Sequence, residues 1–465
     1  MKKFNIVYIH VHDLGRYCEP MGYHIPSPNL MKLAAQGTLF RNFFSSAPSC
    51  APSRAALVTG EYPHCCGMMG LPMQGRLGYR LNDYSKHIAG YLRKHGYETA
   101  LSGVQHVVED PKLPKEDVLP YDYFLNHVPS DQQEFTPALT APAAIDFLMK
   151  EHEKPFFLSI GFLDPHRDNR DDPCIFVESQ PMHEPADIEE LSRYCQPWPH
   201  MPDNKITRRE MANFKIGVEL MDADVGKVLK VLDLPEFRKN TLVIFTTDHG
   251  PGVCEMKCTL HDRGTGVMTI IRGPENPEFG DATAFNGGKV IDGMAQHIDL
   301  YPTICDLIGE DRPQWLQGKS IVPLVKDNVE EIHDAIFSEQ TYHDNIEPRP
   351  LRAVRTERYK YIRSFKRDQQ RGADRGPAQM FWEQYGYADM PFDDEMLFDL
   401  IFDPHESHNL ADSKNHQPVL DEMRIRLRQW MEETHDPLIS GNIPEPPVRL
   451  AKRKRYTPDS LKPIC

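Results

Sequence analysis

Four apolar segments of this 465-residue chain are each followed by histidine or aspartate, a pattern that restricts the folds open to it. The segments span residues 4–11, 98–104, 155–163 and 240–247, and the residues that follow them are His12 and Asp13, His106, His166, and Asp248 and His249. Because stretches with helical periodicity separate the segments, the pattern predicts an α/β fold with a mainly parallel sheet. Parallel strands end at one edge of a sheet, where ligands bind, so we expect these side chains to converge on one site.

A loop of small residues brings Cys50 to the start of a predicted helix that ends before Gly60. Arg54 lies four residues after Cys50, in the same helix. The free N–H groups and the dipole at a helix N-terminus favour negative charge, and an arginine adds a fixed cation. The stretch is therefore suited to hold an oxyanion beside Cys50.

The composition argues against several classes of protein. A formal net charge of −15 and a pI near 5.8 do not fit a nucleic-acid binder or a protein of anionic membrane surfaces, since both need a broad basic face. No window approaches the ~20 apolar residues of a membrane span. Because the first residues lack a signal-peptide cleavage site, we expect a cytoplasmic protein, with export open if a leader was removed. Ten irregularly spaced cysteines do not indicate a disulfide scaffold.

The pattern changes near residue 340, and we predict a boundary there. Residues 1–340 form the larger α/β domain, and residues 341–465 form a smaller α+β subdomain with an antiparallel sheet. In the subdomain, residues 352–364 alternate like one half-exposed strand and residues 417–435 like an amphipathic helix. We also predict a helix over residues 294–308, and long loops over residues 181–206 and 366–394.

Several segments together resemble the type I sulfatases of the alkaline phosphatase superfamily. They are CAPSR with AALVTG, NIVYIHVHDLG, FFLSIGFLDPHR, TLVIFTTDHG, KCTLHDRGTG, RAVRTERYKYIR and LFDLIFDPHESHNLA. Their order makes the resemblance specific, and it covers nearly the whole chain. It implies an alkaline-phosphatase-like sandwich, with the sheet between helices, and a sulfatase catalytic domain. The segments DPHR and RQWMEETHDPL are most similar to the heparan N-sulfatase branch.

The resemblance also implies roles for individual residues. Cys50 would be oxidised to formylglycine by a formylglycine-generating or an anaerobic sulfatase-maturating enzyme. Asp13, Asp248 and His249 would hold one divalent cation. By the family resemblance this cation would be calcium, or else magnesium, since both prefer oxygen ligands such as carboxylates. Arg54 would anchor the formylglycine hydroxyl, and Lys257 would bind the sulfate oxygens. His106 would act as the base, and His166 would lie near the leaving group.

Two positions depart from the family pattern. His12 replaces an aspartate among the metal ligands, and a nitrogen donor there favours manganese or a similar ion over calcium. Val104 replaces a sulfate-binding lysine. We expect Arg167 to compensate as a substrate-binding residue, although an ordinary surface arginine explains it equally well. His343, in a loop predicted to set specificity, is the second substrate-binding candidate, with a structural role equally open.

The resemblance implies a formylglycine-dependent sulfatase acting on a sulfated sugar, with N-sulfoglucosamine as the preferred substrate. One alternative is a phosphonate monoester or phosphodiester hydrolase, which shares the fold and the nucleophile. Another is a non-catalytic glycan-binding relative, which the departures at His12 and Val104 would suit. The partners expected are a sulfated carbohydrate and the maturating enzyme, with no nucleic acid and no membrane.

Overall fold

The computed structural model describes residues 3–72, 78–108, 118–126, 137–167, 174–177, 179, 184–343, 347–366 and 375–446. The strands are β1 Asn5–Val11, β2 Thr38–Phe44, β3 Glu98–Gly103, β4 Tyr123–Phe124, β5 Phe156–Gly161, β6 Thr241–Thr247, β7 Gly266–Arg272, β8 Lys289–Ile291, β9 Ala295–Gln296, β10 Ile336–Gln340, β11 Leu351–Arg355, β12 Tyr359–Ser364 and β13 Glu395–Asp399. The α-helices are α1 Pro28–Gln36, α2 Cys50–Thr59, α3 Pro63–Cys66, α4 Ile88–Lys94, α5 Thr140–Leu148, α6 Ile188–Ser192, α7 Lys205–Leu232, α8 Pro235–Arg238, α9 Asp262–Thr265, α10 Leu300–Ile308, α11 Val322–Val325, α12 Pro377–Glu383 and α13 Gln417–Glu433.

The larger sheet has nine strands in the order β4-β3-β5-β1-β6-β7-β2-β8, with β9 also paired to β2. Strand β1 lies between β5 and β6 and is parallel to both. Strand β7 runs antiparallel to both of its neighbours, β6 and β2. The prediction of a mainly parallel central sheet is therefore confirmed.

Helices cover both faces of this sheet, because successive side chains of each strand point to opposite sides. On one face, Ile6 and Tyr8 of β1 pack in a core that includes side chains of α2, α4 and α10. On the other face, Val7 and Ile9 pack in a core that includes side chains of α1, α5 and α7. This is the predicted sandwich. Every helix within the described ranges is too short or too polar to cross a membrane.

The smaller sheet is antiparallel, in the order β10-β11-β12-β13. Helix α13 packs against it through Leu420, Met423 and Leu427, which share a core with Val354 and Tyr361. The predicted antiparallel C-terminal sheet is thus confirmed. Its first strand, β10, ends at residue 340 and so precedes the predicted domain boundary.

Two predicted elements are wrong. The helix predicted over residues 294–308 begins later, because Ala295–Gln296 form strand β9. The 2.7 Å bond from the backbone N–H of Gln296 to the Asp299 carboxylate then caps a 3-10 turn, His297–Asp299, and the α-helix follows from Leu300. The single strand predicted over residues 352–364 is a hairpin of β11 and β12, closed by a 2.8 Å bond from Thr356 N–H to the carbonyl of Tyr359. The hairpin is mostly buried because it lies inside its sheet.

The two long predicted loops contain short helices where the structure describes them. Helix α6 lies within residues 181–206, and α12 lies within residues 366–394. Residues 181–183 and 367–374 of these predictions lie outside the described residues.

A buried ionic network joins the smaller sheet to α3, the short helix that follows α2. The imidazole of His64 on α3 pairs with the carboxylate of Glu339 on β10, which also accepts the backbone N–H of His64 at 2.7 Å. Beside them, Arg352 pairs with Asp436. Burial alone would lower the pKa of His64, but the Glu339 charge outweighs it and raises the pKa to about 10.

We expect His64→Gln to lower the free energy of unfolding by about 3 kcal/mol at pH 6, since it removes the nearer cation from the buried Glu339 charge and leaves only Arg352 Nε, 3.9 Å away. The folded pKa of His64 lies above its unfolded value of ~6.5, so the stabilisation is complete below that pH and is lost as the pH rises toward 10. In urea unfolding, the difference in free energy of unfolding between the variant and wild type should be smaller at pH 9 than at pH 6. The exposed His24→Gln is the control, and an unchanged gap would contradict the assignment.

Candidate active site

Adjacent strands β1 and β6 bring the first two pairs of predicted residues together. Val11 lies beside Thr247 in the parallel register, so the next residues along both strands enter the same edge of the sheet. The backbone N–H of Asp13 donates to Asp248 Oδ1 at 2.9 Å. His12 Nδ1 lies 3.0 Å from Asp248 Oδ2, and all of these side chains are buried. The convergence predicted for these strand ends is present.

Left-handed backbone conformations aim several side chains of this site. Asp13 has φ 48°, His106 has φ 62° and Cys258, which follows Lys257, has φ 64°. Non-glycine residues adopt this region at a cost, and such strain clusters at functional sites. The surrounding packing therefore holds the loops after β1 and β3, and the loop that carries Lys257, in positions that the isolated backbone disfavours.

Cys50 is the first residue of α2, and Ser49 precedes it with an extended backbone. Its Sγ lies 3.2 Å from His249 Nε2, and its side chain is buried. Burial alone would raise the pKa of the Cys50 thiol, but the charges of Lys257 and His249 hold that pKa well below its usual range. The position therefore favours a negatively charged group, as its place at the helix N-terminus predicts.

Two buried cations neutralise the two carboxylates. Lys257 Nζ lies 3.0 Å from Asp13 Oδ2 and 3.3 Å from His166 Nε2. Arg54 donates from Nε and from a terminal nitrogen to Asp248 Oδ2, each over 3.3 Å. It also donates to the carbonyl oxygen of Val104 at 3.3 Å. Position 104, where the family pattern has a lysine, thus contacts the site through its backbone.

His12 lies between the two remaining predicted histidines. Its ring centroid is 5.6 Å from that of His106 and 5.1 Å from that of His166. These rings come from the ends of β1, β3 and β5, which are neighbours in the sheet. The structure therefore places both His106 and His166 next to His12, and His166 also lies beside Lys257.

The residues of the cluster suit a cation. Donor atoms of Asp13, Cys50, Asp248 and His249 lie within 4.8 Å of one another, as do donor atoms of His12, Asp13, Cys50 and His166. Asp13 Oδ1 is buried and has no hydrogen-bond partner among the described residues. A buried carboxylate oxygen without a partner is costly, and a bound cation would satisfy it.

Some residues that support the site were not predicted. Ser53 donates to the carbonyl oxygen of Asp248 at 2.7 Å and lies 3.3 Å from Nδ1 of buried His297. Burial lowers the pKa of His297 to about 3, so this ring is neutral. The backbone N–H of Cys258 donates to Pro48 at 2.8 Å and links the Lys257 loop to the Cys50 loop. No periodic signal marks these residues, although Ser53 lies inside the CAPSR motif.

The two candidate substrate-binding residues have different surroundings. His343 Nδ1 lies 2.9 Å from Ser49 Oγ, so its half-buried side chain contacts the residue that precedes Cys50. Arg167 is fully buried, pairs with Glu210 of α7 and donates to the carbonyl of Gly252 at 2.9 Å. The charge of Arg167 is thus paired in the interior, and its expected role in substrate binding stays a prediction.

Comparison with known proteins agrees with this geometry. Residues 5–310 match the family described as sulfatase, and residues 281–373 match the C-terminal domain of N-sulphoglucosamine sulphohydrolase. The chain is 27% identical to N-sulphoglucosamine sulphohydrolase of Homo sapiens, over 89% of this chain and 87% of that protein. It is also 27% identical to an ulvan-active sulfatase of Formosa agariphila, over 96% of this chain and 82% of that protein.

Solved structures share the fold. One, in complex with its substrate D-glucosamine-2-N,6-O-disulfate, superposes with a TM-score of 0.69 at 16% identity and covers 94% of this chain and 99% of that chain. A 2-O GAG sulfatase superposes with a TM-score of 0.70 at 22% identity, covering 96% of both chains. The family match covers well over half of the chain, which therefore belongs to the sulfatase family, the hydrolases of sulfate esters and sulfamides.

Proposed function

We propose that this protein is a formylglycine-dependent sulfatase that removes sulfate from a sulfated sugar, with N-sulfoglucosamine as the preferred substrate. The observation that carries the proposal is Cys50, buried at the start of α2 and 3.2 Å from His249. Lys257 and Arg54 supply fixed positive charge within the same cluster. A substrate oxyanion bound there would meet two cations without the cost of moving them.

The proposed metal ligands are Asp13, Asp248, His249 and His12. Asp13 Oδ1, buried and without a hydrogen-bond partner among the described residues, supports a cation at this position. A divalent cation held there would neutralise charge that develops on the sulfate group. Calcium or magnesium would suit the two carboxylates, whereas the second imidazole shifts the preference toward manganese. We therefore propose one divalent cation, calcium by the resemblance to the family, with magnesium and manganese as the alternatives.

The remaining residues take roles that their positions allow. Formylglycine, formed from Cys50 by a maturating enzyme, supplies an aldehyde hydrate as the nucleophile. Arg54 holds the oxygen of that group, and Lys257 binds a sulfate oxygen. His166, with Nε2 3.3 Å from Lys257 Nζ, donates a proton to the leaving amine or alcohol. His106, on the neighbouring strand end, accepts a proton when sulfate is released.

Substrate preference rests on the similarity to relatives and on one side chain. The match over residues 281–373 is to a domain of N-sulphoglucosamine sulphohydrolase, and the human enzyme of that name aligns over most of the chain. The half-buried side chain of His343, 2.9 Å from the side chain of Ser49, contacts the residue before Cys50, which supports a position near the sugar that carries the sulfate. We assign His343 to recognition of that sugar.

Modification of Cys50 tests the nucleophile. We expect peptide mass analysis of protein from its native host to show the sulfur of Cys50 replaced by an aldehyde oxygen. Cys50→Ala should lower sulfatase kcat at least ~10³-fold, since no nucleophile remains. Cys66→Ala, which removes another buried thiol, is the matched control and should keep activity. Unmodified Cys50 in an active protein would contradict the formylglycine mechanism.

Replacement of His12 tests the metal assignment without measuring turnover. We expect His12→Asp to raise the ratio of calcium to manganese affinity at least about tenfold, because it exchanges a nitrogen donor for a carboxylate. Calorimetric titration of metal-free protein with each ion measures the ratio. The exposed His24→Asp should leave it unchanged. An equal ratio in wild type and His12→Asp would show that His12 is not a ligand.

A substrate panel tests the preferred sugar. We expect kcat/KM for N-sulfoglucosamine to exceed that for 6-O-sulfated glucosamine and for aryl phosphodiesters at least about tenfold. His343→Ala should raise KM for the sugar while changing kcat for an aryl sulfate by less than about threefold, since the aryl group lacks the sugar contacts. Higher activity on phosphodiesters would favour the alternative hydrolase, and binding without turnover of any of these compounds would favour a glycan-binding relative.

A further inference from the structure

A second pocket lies outside the Cys50 site, between the loop after β1, α9 and the turn after β13. Its volume is about 300 Å³, and the residues that line it include Arg16, Tyr17, Tyr23, His200, Arg263 and Arg355. None of the proposed catalytic or metal-binding residues is among its described lining residues. At about 30 Å³ per water molecule, this volume equals roughly ten waters. It therefore accommodates more than a bare inorganic anion.

Most charges around this pocket are already paired. Arg355 donates from Nε to both oxygens of Asp262, at 3.1 and 3.2 Å, and the same carboxylate accepts Lys360 Nζ at 2.8 Å. Arg263 donates to the carbonyl oxygens of Glu255 at 2.6 Å and His405 at 2.9 Å. These groups hold one another in place and form a fixed wall.

Arg16 is the exception. Its guanidinium stacks on the ring of Phe44, 4.5 Å from the centroid, and Arg355 stacks on the same ring at the same distance. Arg16 Nε is buried and has no hydrogen-bond partner among the described residues, and a terminal nitrogen reaches the carbonyl of Phe43 over 3.4 Å. A guanidinium has five N–H donors, so Arg16 keeps hydrogen-bonding capacity that these contacts leave unused.

We propose that this pocket binds an acidic sugar unit, whose carboxylate or sulfate group is held by Arg16. Arginine forms paired hydrogen bonds with such oxyanions, and the terminal N–H groups of Arg16, of which one makes only the 3.4 Å bond to Phe43, are the donors that can reach the pocket. Tyr17 and Tyr23, with ring centroids 4.7 Å apart, offer apolar surface for the sugar ring. The identification of the ligand as a sugar rests on the proposed function, since a sulfated glycan substrate would contain acidic sugar units.

The placement suggests how this pocket serves the same enzyme. Arg16 follows the proposed metal ligand Asp13 by three residues, in the loop that leaves β1. Gly15 in that loop packs so closely against Gly250, which follows His249, that an added side-chain carbon would lie 3.0 Å from the Gly250 Cα. The loop therefore connects the proposed metal site to a second place where the glycan binds.

Calorimetric titration of the full chain with D-glucuronate, inorganic sulfate and D-glucose at constant ionic strength tests the proposal. We expect saturable binding of glucuronate that Arg16→Gln weakens at least about tenfold and Arg16→Lys weakens less, since lysine keeps the charge but loses the paired donors. Arg312→Gln, which removes an exposed arginine paired with Asp306, is the control and should bind like wild type. Glucose should not bind, because it lacks the anionic group.

Thermal unfolding of each variant verifies that it is folded, and Arg16→Lys carries the test if Arg16→Gln is not. Absence of saturable glucuronate binding, or binding that both Arg16 variants leave unchanged, would overturn the proposal. Sensitivity to Arg16 for inorganic sulfate alone would overturn the sugar assignment and leave a free-oxyanion site. Because none of these probes carries a hydrolysable sulfate, the result is independent of whether the protein proves to be a sulfatase.

Discussion

Two buried carboxylates at the edge of the central sheet have to remain charged, and the rest of the site is arranged around that requirement. Asp13 and Asp248 have no exposed surface. Burial alone would raise the pKa of Asp248, but His249, His12 and Arg54 hold it well below its usual value. Because an isolated buried charge is costly, the loops that carry these partners are fixed relative to β1 and β6. Removing one of these partners would therefore eliminate its own contact and also displace the residues around it.

Much of this arrangement could be predicted, because its signals are local. A continuous apolar run followed by Asp or His predicts a buried strand with a polar end, and parallel pairing brings such ends together. Strand β2 was not predicted, because exposed Arg41 and half-buried Asn42 interrupt its apolar run where the pairing shifts between Phe40 and Phe43. The direction in which an individual side chain points could not be predicted from the sequence either. Arg167 follows His166 directly, yet it pairs with Glu210 in the interior.

The smaller sheet supports the site as well as covering the larger domain. The backbone N–H of Glu339 on β10 donates to the carbonyl of Ser46 at 2.9 Å, and the side chain of Glu339 pairs with His64. One residue of the smaller sheet thus contacts the chain on both sides of Cys50. The sequence showed a change of character near residue 340 but not this contact, because it depends on residues nearly 300 positions apart.

If Cys50 is converted to formylglycine, as we propose, its burial has a consequence for the order of events in the cell. Its side chain is only 1% exposed, and residues far along the chain lie around it, such as His249 at its sulfur and His343 bonded to Ser49. An enzyme that modifies this thiol has to hold the peptide around it in its own cleft. That peptide is accessible while α2 is unformed or before the later strands have been synthesised. Maturation and folding would then compete in time, and the fraction of active protein would depend on which is faster.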